Sequence, residues 1–323
     1  MAEQMPKTQS AGGQAVMEGV MMMSGQHVAM CVRRKDHSIS TVTEEVGGAK
    51  KRPAVFKWPI IRGVVNLVTQ LKIGYRMIMK SADFVLEDEG EEVASEGSGV
   101  ITGVAGILAL VVSLGLFFAL PSFLAGLFLA PGPWLLVAEG GIRILLFMGY
   151  MVAVGLLPDM RRVYMYHGAE HKTLWCYQKG EELIPENAKK YSRLHPMCGT
   201  NYLFLVMLVS ILIFSLMGVQ ANPWLRILIR ILMIPVVAGV AYEVLKLFTN
   251  KENILAKIVR APGILLQYLT TREPTEDMLE VAASALSTVL AAGDAVQVEG
   301  KEGQREGKAD ESMGGEVQAD VPL

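Results

Sequence analysis

The sequence predicts a mainly α integral membrane protein with about four transmembrane helices in two hairpins, preceded by a cytoplasmic α+β segment that contains a small β-hairpin. Hydrophobic residues make up 51% of the 323 residues, charged residues only 19%, and the mean hydropathy is +0.35. Soluble globular domains carry about 25% charged residues, so this composition argues against an ordinary soluble protein. The apolar residues are concentrated in a few long runs, which set the predicted architecture.

Residues 100–120 form the clearest transmembrane prediction. No charged side chain occurs between Glu96 and Glu139, and about 20 apolar residues are enough for a helix to cross the hydrocarbon core of a bilayer. Pro121 is expected to end or kink this helix, because proline removes a backbone hydrogen-bond donor.

Further apolar runs occupy residues 135–157, 202–219 and 227–247. The first of these contains Glu139 and Arg143, whose spacing lets them pair on one helix face. The last is the weakest candidate, because charged residues lie near both of its ends: Arg226, Arg230, Glu243 and Lys246. We interpret Glu139 with Arg143, and Glu243 with Lys246, as ion pairs that pack helices rather than as catalytic groups.

Lysine and arginine set the predicted orientation, because cytoplasmic loops are enriched in them. They are frequent before the first run and in residues 158–201, but the short links APGPW and QANPW contain none. Both termini and the central loop are therefore expected in the cytoplasm. Nucleic acid is not an expected partner, because the chain lacks the concentrated basic face that such binding requires.

The chain is thereby divided into six predicted parts. They are an N-terminal segment (1–97), a first transmembrane hairpin (98–157), a histidine-rich loop (158–201), a second hairpin (202–248), amphipathic helices (249–292) and a disordered acidic tail (293–323).

The soluble parts carry their own periodicities. Alternation in residues 27–33 and 38–42 predicts the β-hairpin. From Trp58 a helical period puts Val68, Leu71 and Tyr75 on an apolar face, which either lies on an anionic membrane surface or covers the ends of the membrane helices. The acidic residues 83–96 are interpreted as a solvated linker. Residues 254–270, interrupted by Pro262, and 274–290, capped by Thr275, are predicted helices.

The central loop contains the sharpest chemical signal. His167, Glu170 and His171 have an H-x-x-E-H spacing, which on a helix places all three side chains on one face. Two imidazoles one turn apart can share a metal ion, and the carboxylate can bind that ion or accept a proton from its water. The same spacing occurs in inverted zinc peptidases.

A second group of donors lies just before the third apolar run. His195 and Cys198 offer an imidazole and a thiol, and either of them would complete a set of three ligands with His167 and His171. The alternative is that both are helix-entry residues with ordinary hydrogen bonds. Near the N-terminus, Glu18 stands among glycines and is open to three interpretations: a further ligand, a proton acceptor, or a helix cap or salt-bridge partner.

Several blocks together resemble the bacterial YqhQ family of membrane proteins, over residues 9–290: GGQAVMEGVMM, WPIIRGVVNL, YHGAEHKTLWCY, HPMCGTNYLF, YEVLKL and APGILLQYLTTREPTEDMLEVA. The resemblance implies a multi-pass protein of the bacterial cell membrane with a histidine-rich cytoplasmic site, described as a metal-dependent enzyme. The polar positions that match are Gln14, Glu18, Arg62, His167, Glu170, His171, Lys172, His195, Cys198 and Glu243. Met23 and Met197 stand where arginine is expected in the family.

Three functions follow from these observations. The first is a metal-dependent hydrolase in which a divalent ion, most readily zinc, is held by His167, His171 and His195 or Cys198. Glu170 would act as its general base, and Glu18 would complete or orient the site. Its position at the membrane favours an amphiphilic substrate. The second function is transport, and the third is a non-catalytic scaffold with a structural metal or none. The clean runs lack ionisable residues at mid-depth, which disfavours transport.

Overall fold

The computed structural model describes residues 11–46, 53–90, 99–196, 198–218, 222–249, 251 and 253–293. The strands are β1 Ala11–Val16, β2 Gly19–Ser24, β3 His27–Arg33 and β4 Ile39–Glu45. The helices are α1 Ile61–Glu89, α2 Gly99–Leu114, α3 Leu120–Phe128, α4 Pro133–Val154, α5 Pro158–Gln178, α6 Pro185–Ala188, α7 Gly199–Leu216, α8 Pro223–Leu232, α9 Ile234–Thr249, α10 Ile254–Thr270 and α11, residues 276–293. The predicted acidic tail falls almost entirely outside these residues.

The N-terminal strands form one antiparallel sheet in the order β1-β2-β3-β4. The predicted hairpin is confirmed as β3 and β4, with Met30 opposite Val42. Strands β1 and β2 were not predicted, because both contain glycine, a residue type that is uncommon in strands. Gly19 is needed at its position, since a Cβ there would lie 2.2 Å from the carbonyl oxygen of Cys31.

The sheet lies between two helical layers. One face, with Val20, Met22, Ala29 and Cys31, packs against α5 and α11. The other face packs against Ile73 and Met77 of α1, through side chains that alternate with the first set along the strands: Met21, Val28, Met30 and Val32. The alternation follows from the two-residue period of a strand, and it gives the N-terminal part a core on both sides of the sheet.

In helix α1, three residues of the predicted apolar face are not packed within the described part of the protein. Val68, Leu71 and Tyr75 are exposed, whereas the buried residues are Gly63, Ile73, Gly74, Met77 and Ser81. The small residues on the buried face allow α1 to approach strand β1 closely, since a Cβ at Gly74 would lie 2.3 Å from the side-chain oxygen of Gln14. The helix also continues to Glu89, so the first half of the predicted acidic linker is helical. The rest of that run, beyond Gly90, lies outside the described residues.

Three helical stretches are long and apolar enough to cross a membrane: Gly103–Phe128, Pro133–Val154 and Gly199–Leu216. Pro121 does not end the first one. A π-helical turn at Gly115–Ala119 precedes the proline and the helix continues as α3 to Phe128. Such a turn rearranges the backbone hydrogen bonds where a proline would otherwise clash with the preceding turn.

The fourth run is a broken helix. Trp224–Leu232 and Ile234–Phe248 meet at an angle of 46°, and together they count as a fourth candidate span if the bent pair is one crossing. Pro235 follows the break directly and cannot donate its backbone nitrogen. The first half, α8, carries Arg226 and Arg230 inside the helix bundle.

The ion pairs of these helices differ from those predicted. Glu139 pairs with Arg230 and lies 3.6 Å from Arg226, instead of pairing with Arg143. Glu243 pairs with Arg62 of α1 rather than with Lys246. Both carboxylates therefore join separate helices.

Helix α10 has the predicted limits and contains Pro262 without a break. It packs along α7, where a Cβ at Gly263 would lie 2.2 Å from the side-chain oxygen of Asn201. Residues 271–275 then lead into α11 on the sheet. The junction of α5, the start of α7 and the end of α10 thus lies between the sheet domain and the bundle.

Candidate metal centre

Helix α5 carries the H-x-x-E-H residues and holds them at this junction. The rings of His167 and His171 lie side by side with centroids 4.4 Å apart. Between them along the chain, Gly168 touches the segment that follows α10: a Cβ there would lie 2.1 Å from the carbonyl oxygen of Arg272. Arg272 in turn donates its backbone N–H to the carbonyl of Tyr164, at 2.8 Å. The glycine of the motif therefore permits α5 to dock where it does.

Cys198 completes a compact group with these two histidines. Its sulfur lies 3.2 Å from Nε2 of His167. One nitrogen of each histidine and the sulfur all lie within 4.8 Å of one another. Within the described ranges, no fourth histidine, cysteine or carboxylate donor joins this group. A set of three protein ligands is typical of catalytic zinc sites, which keep one position open.

Backbone carbonyls fix the tautomers of both histidines. Nδ1 of His167 lies 2.9 Å from the carbonyl oxygen of Thr270, and Nδ1 of His171 lies 2.6 Å from that of Arg193. A carbonyl only accepts hydrogen bonds, so each Nδ1 carries a proton, and in the neutral imidazole each Nε2 presents a lone pair. Metal-binding histidines are usually oriented in this way by their second nitrogen.

Nε2 of His171 is the atom that points most directly to a bound ligand. This nitrogen is buried and has no hydrogen-bond partner among the described residues. A buried acceptor without a partner is costly, and a ligand would remove that cost. The donor set of two imidazoles and one thiol suits zinc and other borderline-soft ions.

Cys198 caps the N-terminus of α7 and receives its own hydrogen bonds there. The hydroxyl of Thr200 lies 3.2 Å from the sulfur and its backbone N–H lies 3.4 Å away. The sulfur therefore accepts both of these hydrogen bonds at the first turn of α7. Thr200 was not singled out in the sequence, although its position two residues after the cysteine is the usual one for a capping contact.

His195 does not join the group, although its ring lies 5.7 Å from that of His171. It is buried against Trp175 and approaches the side chain of Gln178. Gln267 holds its backbone on both sides, accepting from its N–H at 2.8 Å and donating to its carbonyl at 2.9 Å. Burial, together with the nearby His171, lowers the pKa of His195 to about 3, so this ring is neutral.

Glu170 faces the sheet rather than the nitrogen and sulfur atoms. Its carboxylate accepts a hydrogen bond from the backbone N–H of Gly13, and the side chain is buried. Burial raises its pKa to about 7, while His167 and the Gly13 bond oppose that rise. Gly13 belongs to the N-terminal block of the sequence, so strand β1 forms one wall of the site.

Glu18 lies at the turn between β1 and β2, outside the group of three donors. Both of its oxygens bind the guanidinium of Arg162 on α5, and the hydroxyl of Tyr166 lies 3.5 Å away. Of the interpretations left open by the sequence, this contact is the salt bridge. It ties the turn to the helix that carries the histidines.

The other matching polar residues lie around the site or beyond it. Lys172 is buried and pairs with Glu273. Arg62 and Glu243 pair with each other at the contact of α1 with α9. Of the two methionines that replace an expected arginine, Met23 lies in β2, whereas Met197 is outside the described residues.

A family model described as "Protein of unknown function (DUF1385)" matches residues 58–292. A relative from Bacillus subtilis, the uncharacterized protein YqhQ, is 32% identical over 294 residues, which cover 86% of this chain and 92% of that protein. The chain belongs to the YqhQ/DUF1385 family. No solved structure matches it. For this YqhQ/DUF1385 member, the geometry of the histidine–cysteine group is therefore the main guide to function.

Proposed function

We propose that this protein is a metal-dependent enzyme of the hydrolase type, embedded in the bacterial cell membrane and acting at its cytoplasmic face. The observation that carries the proposal is the pair of Nε2 lone pairs, fixed by the carbonyls of Thr270 and Arg193, beside the sulfur of Cys198. Two imidazoles oriented by hydrogen bonds from their second nitrogens, together with one thiol, are the arrangement expected around a catalytic zinc ion.

His167, His171 and Cys198 would hold the ion. A divalent ion in such a site lowers the pKa of a bound water to near neutrality and so supplies a nucleophile. Glu170 precedes His171 on α5, is near enough to His167 for their charges to interact, and is the proton acceptor of the proposal. Glu18 orients α5 through Arg162. His195 supports the site from behind, through its contacts with His171 and Trp175.

The position of the group favours an amphiphilic substrate. Its donors lie where α5 and α7 meet, and α7 continues from Cys198 directly into an apolar helix of transmembrane length. A lipid, an isoprenoid or a membrane peptide would reach this junction from the bilayer.

Metal content of the detergent-purified protein tests the proposal first. About one ion per chain is expected in the wild type, and His171→Ala or Cys198→Ala should remove most of it, because two ligands hold the ion poorly. Cys176→Ala is the matched control. This thiol is buried on α5, the helix that carries both histidines, but it donates to the carbonyl of Glu182. A wild type without metal after supplementation contradicts the proposal.

Cobalt substitution sharpens the ligand assignment. A cobalt–thiolate absorption band is expected in the wild type and in Cys176→Ala, and it should vanish in Cys198→Ala. Glu170→Gln should retain the ion and the band, since the carboxylate faces Gly13. Loss of metal in Glu170→Gln would make this residue a ligand and would remove its role as base.

A cysteine nucleophile is the second candidate. The 3.2 Å separation of His167 Nε2 from Cys198 Sγ, at a helix N-terminus, also fits a cysteine–histidine pair. This candidate predicts a metal-free protein whose Cys198 reacts rapidly with iodoacetamide, and in which His167→Ala slows that reaction. A protein that has neither metal nor a reactive Cys198 would instead be the scaffold.

A further inference from the structure

A second polar cluster lies inside the helix bundle, away from the histidines. We call it the arginine cluster; it consists of Arg143, Arg226, Arg230, Glu139, Ser122 and Ser210. Its four charged residues are at most 7% exposed. Ser210 lies about three turns into α7, or roughly 16 Å beyond Gly199 at 1.5 Å per residue. The cluster is thus at the depth of the membrane helices.

The charges of the cluster do not balance. Glu139 is the one carboxylate among its members, and it is bound by Arg230 and by the hydroxyl of Ser122. Arg226 lies 3.6 Å from the same carboxylate, beyond hydrogen-bond distance. Arg143 donates to the carbonyl of Phe117 and to Ser210, which are both neutral. The described residues of the cluster therefore carry an excess of positive charge.

Two donors of the cluster lack a hydrogen bond. Nη2 of Arg143 and Nε of Arg226 are buried and make no hydrogen bond within the described part of the chain, and only the Arg226 atom has a carboxylate nearby, at 3.6 Å. Aromatic rings offer some compensation, since the guanidinium of Arg143 lies 5.1 Å from the ring centre of Phe118. A ring neither removes a charge nor accepts a full hydrogen bond. Intramembrane cations without a counter-charge usually mark a binding site.

An apolar cavity lies against the side chain of Arg143. Its volume is about 290 Å³, near the lower end of the range for small-molecule sites, about 300–1,000 Å³. Its lining comes from π-turn Gly115–Ala119 and helices α4, α7 and α9, and it includes Phe117, Phe118, Phe147, Met207 and Phe214 besides Arg143 and Ser210. A cation thus stands at the wall of an otherwise aromatic and aliphatic space.

We propose that this cavity and the arginine cluster bind an anionic phospholipid, with an acyl chain in the cavity and the phosphate on Arg143 at the cavity wall. A phosphate has several acceptor oxygens and matches the fork of a guanidinium. Its negative charge offsets the excess of the cluster, and the chain covers the aromatic wall. The site is separate from the histidine–cysteine group and does not depend on the proposed catalysis.

Titration of the detergent-purified protein with dioctanoyl lipids tests this site, with bound lipid counted by native mass spectrometry. Phosphatidylglycerol should bind at least tenfold more tightly than phosphatidylcholine, because both lipids carry the phosphate but only phosphatidylglycerol has a net negative charge that offsets the positive charge of the cluster. Inorganic phosphate should not compete at equal concentration. Equal affinity for the two lipids, or equally tight binding of inorganic phosphate or octanoate, overturns the proposal.

Variants separate the head and chain contacts. Arg143→Gln should abolish the preference for phosphatidylglycerol. Val206→Phe should fill the cavity and weaken both lipids at least tenfold, whereas Leu212→Phe, on an exposed face of the same helix, should not. If Arg143→Gln fails to fold, Val206→Phe and Leu212→Phe decide. Unchanged binding in Val206→Phe overturns the proposal, and metal content should be unaffected in all three.

Discussion

The two polar clusters of this protein are built on opposite principles. The histidine–cysteine group at the junction consists of two imidazoles and a thiol, and the Nδ1 atoms of both imidazoles are satisfied by backbone carbonyls. The arginine cluster in the bundle consists of charges that only partly cancel. The histidine–cysteine group has its Nδ1 atoms bonded and its Nε2 atoms available to a ligand. The arginine cluster is held together by the ion pairs of Glu139 and keeps an excess of positive charge. The difference indicates a cationic ligand for one and an anionic ligand for the other.

The largest expected effect is all-or-none and concerns the sides of the membrane. Reporters fused after Leu290 and inserted near Gly180 should both be cytoplasmic, because both positions lie on the lysine- and arginine-rich side. A reporter in the link between α3 and α4 should be external. Opposite locations for the first two would contradict the four-span arrangement.

Removing the carboxylate of the arginine cluster should have the largest effect on stability. Glu139→Gln would leave Arg226 and Arg230 buried without a counter-charge, and loss of one partner of a buried ion pair costs about 3–5 kcal/mol. Denaturant unfolding in detergent measures the change. Glu182→Gln, at an exposed carboxylate, is the control and should be neutral. A stable Glu139→Gln protein with normal unfolding would mean that water reaches the cluster.

Gly168→Ala tests the junction instead. The added methyl group would lie 2.1 Å from the carbonyl oxygen of Arg272, so α5 must shift, and overpacking of this kind costs about 1–3 kcal/mol. Metal affinity should fall as well, while the preference for anionic lipid stays the same. Gly141→Ala is the matched control, because a Cβ there meets open space. Normal metal affinity in Gly168→Ala would show that the close contact does not position the histidines.

The smallest effect is expected from the ion pair that joins α1 to α9. Arg62→Ala and Glu243→Gln each remove one partner, but both side chains are partly exposed, and pairs in water contribute little. The double variant should add nothing to either single one, and added salt should shrink the difference from the wild type. A loss of unfolding free energy as large as that of Glu139→Gln would show that solvent does not screen the Arg62–Glu243 pair.

Periodicity and spacing predicted the parts of the molecule that depend on local sequence. The limits of α10, the hairpin β3–β4, the apolar runs and the helical face shared by His167 and His171 belong to this class. Contacts between distant segments escaped prediction. The partner of Glu139 is on α8 rather than one turn away on α4, and Glu243 reaches back to α1.

The candidate site divides in the same way. The sequence singled out His167, His171 and Cys198 but left Cys198 and His195 as alternatives, and the geometry groups Cys198 with the two histidines. The backbone carbonyls of Thr270 and Arg193 carry no side-chain signature, so no sequence pattern points to them. In the sequence, the N-terminal block stands out by the glycines around Glu18. Its role as a strand packed against Glu170 depends on a partner more than 150 residues away.

The junction also fixes when the site can come into existence during synthesis. Its parts are contributed by α5, by the segment that ends at Cys198, and by the carbonyl of Thr270 at the end of α10. A ribosome that has made the first hairpin and α5 has added neither Cys198 nor Thr270. The histidines are then present on a nascent chain without the groups that orient them. The site is therefore assembled late, after α10 has been synthesised, and an ion bound as proposed would mark a chain whose helices α7 to α10 are complete.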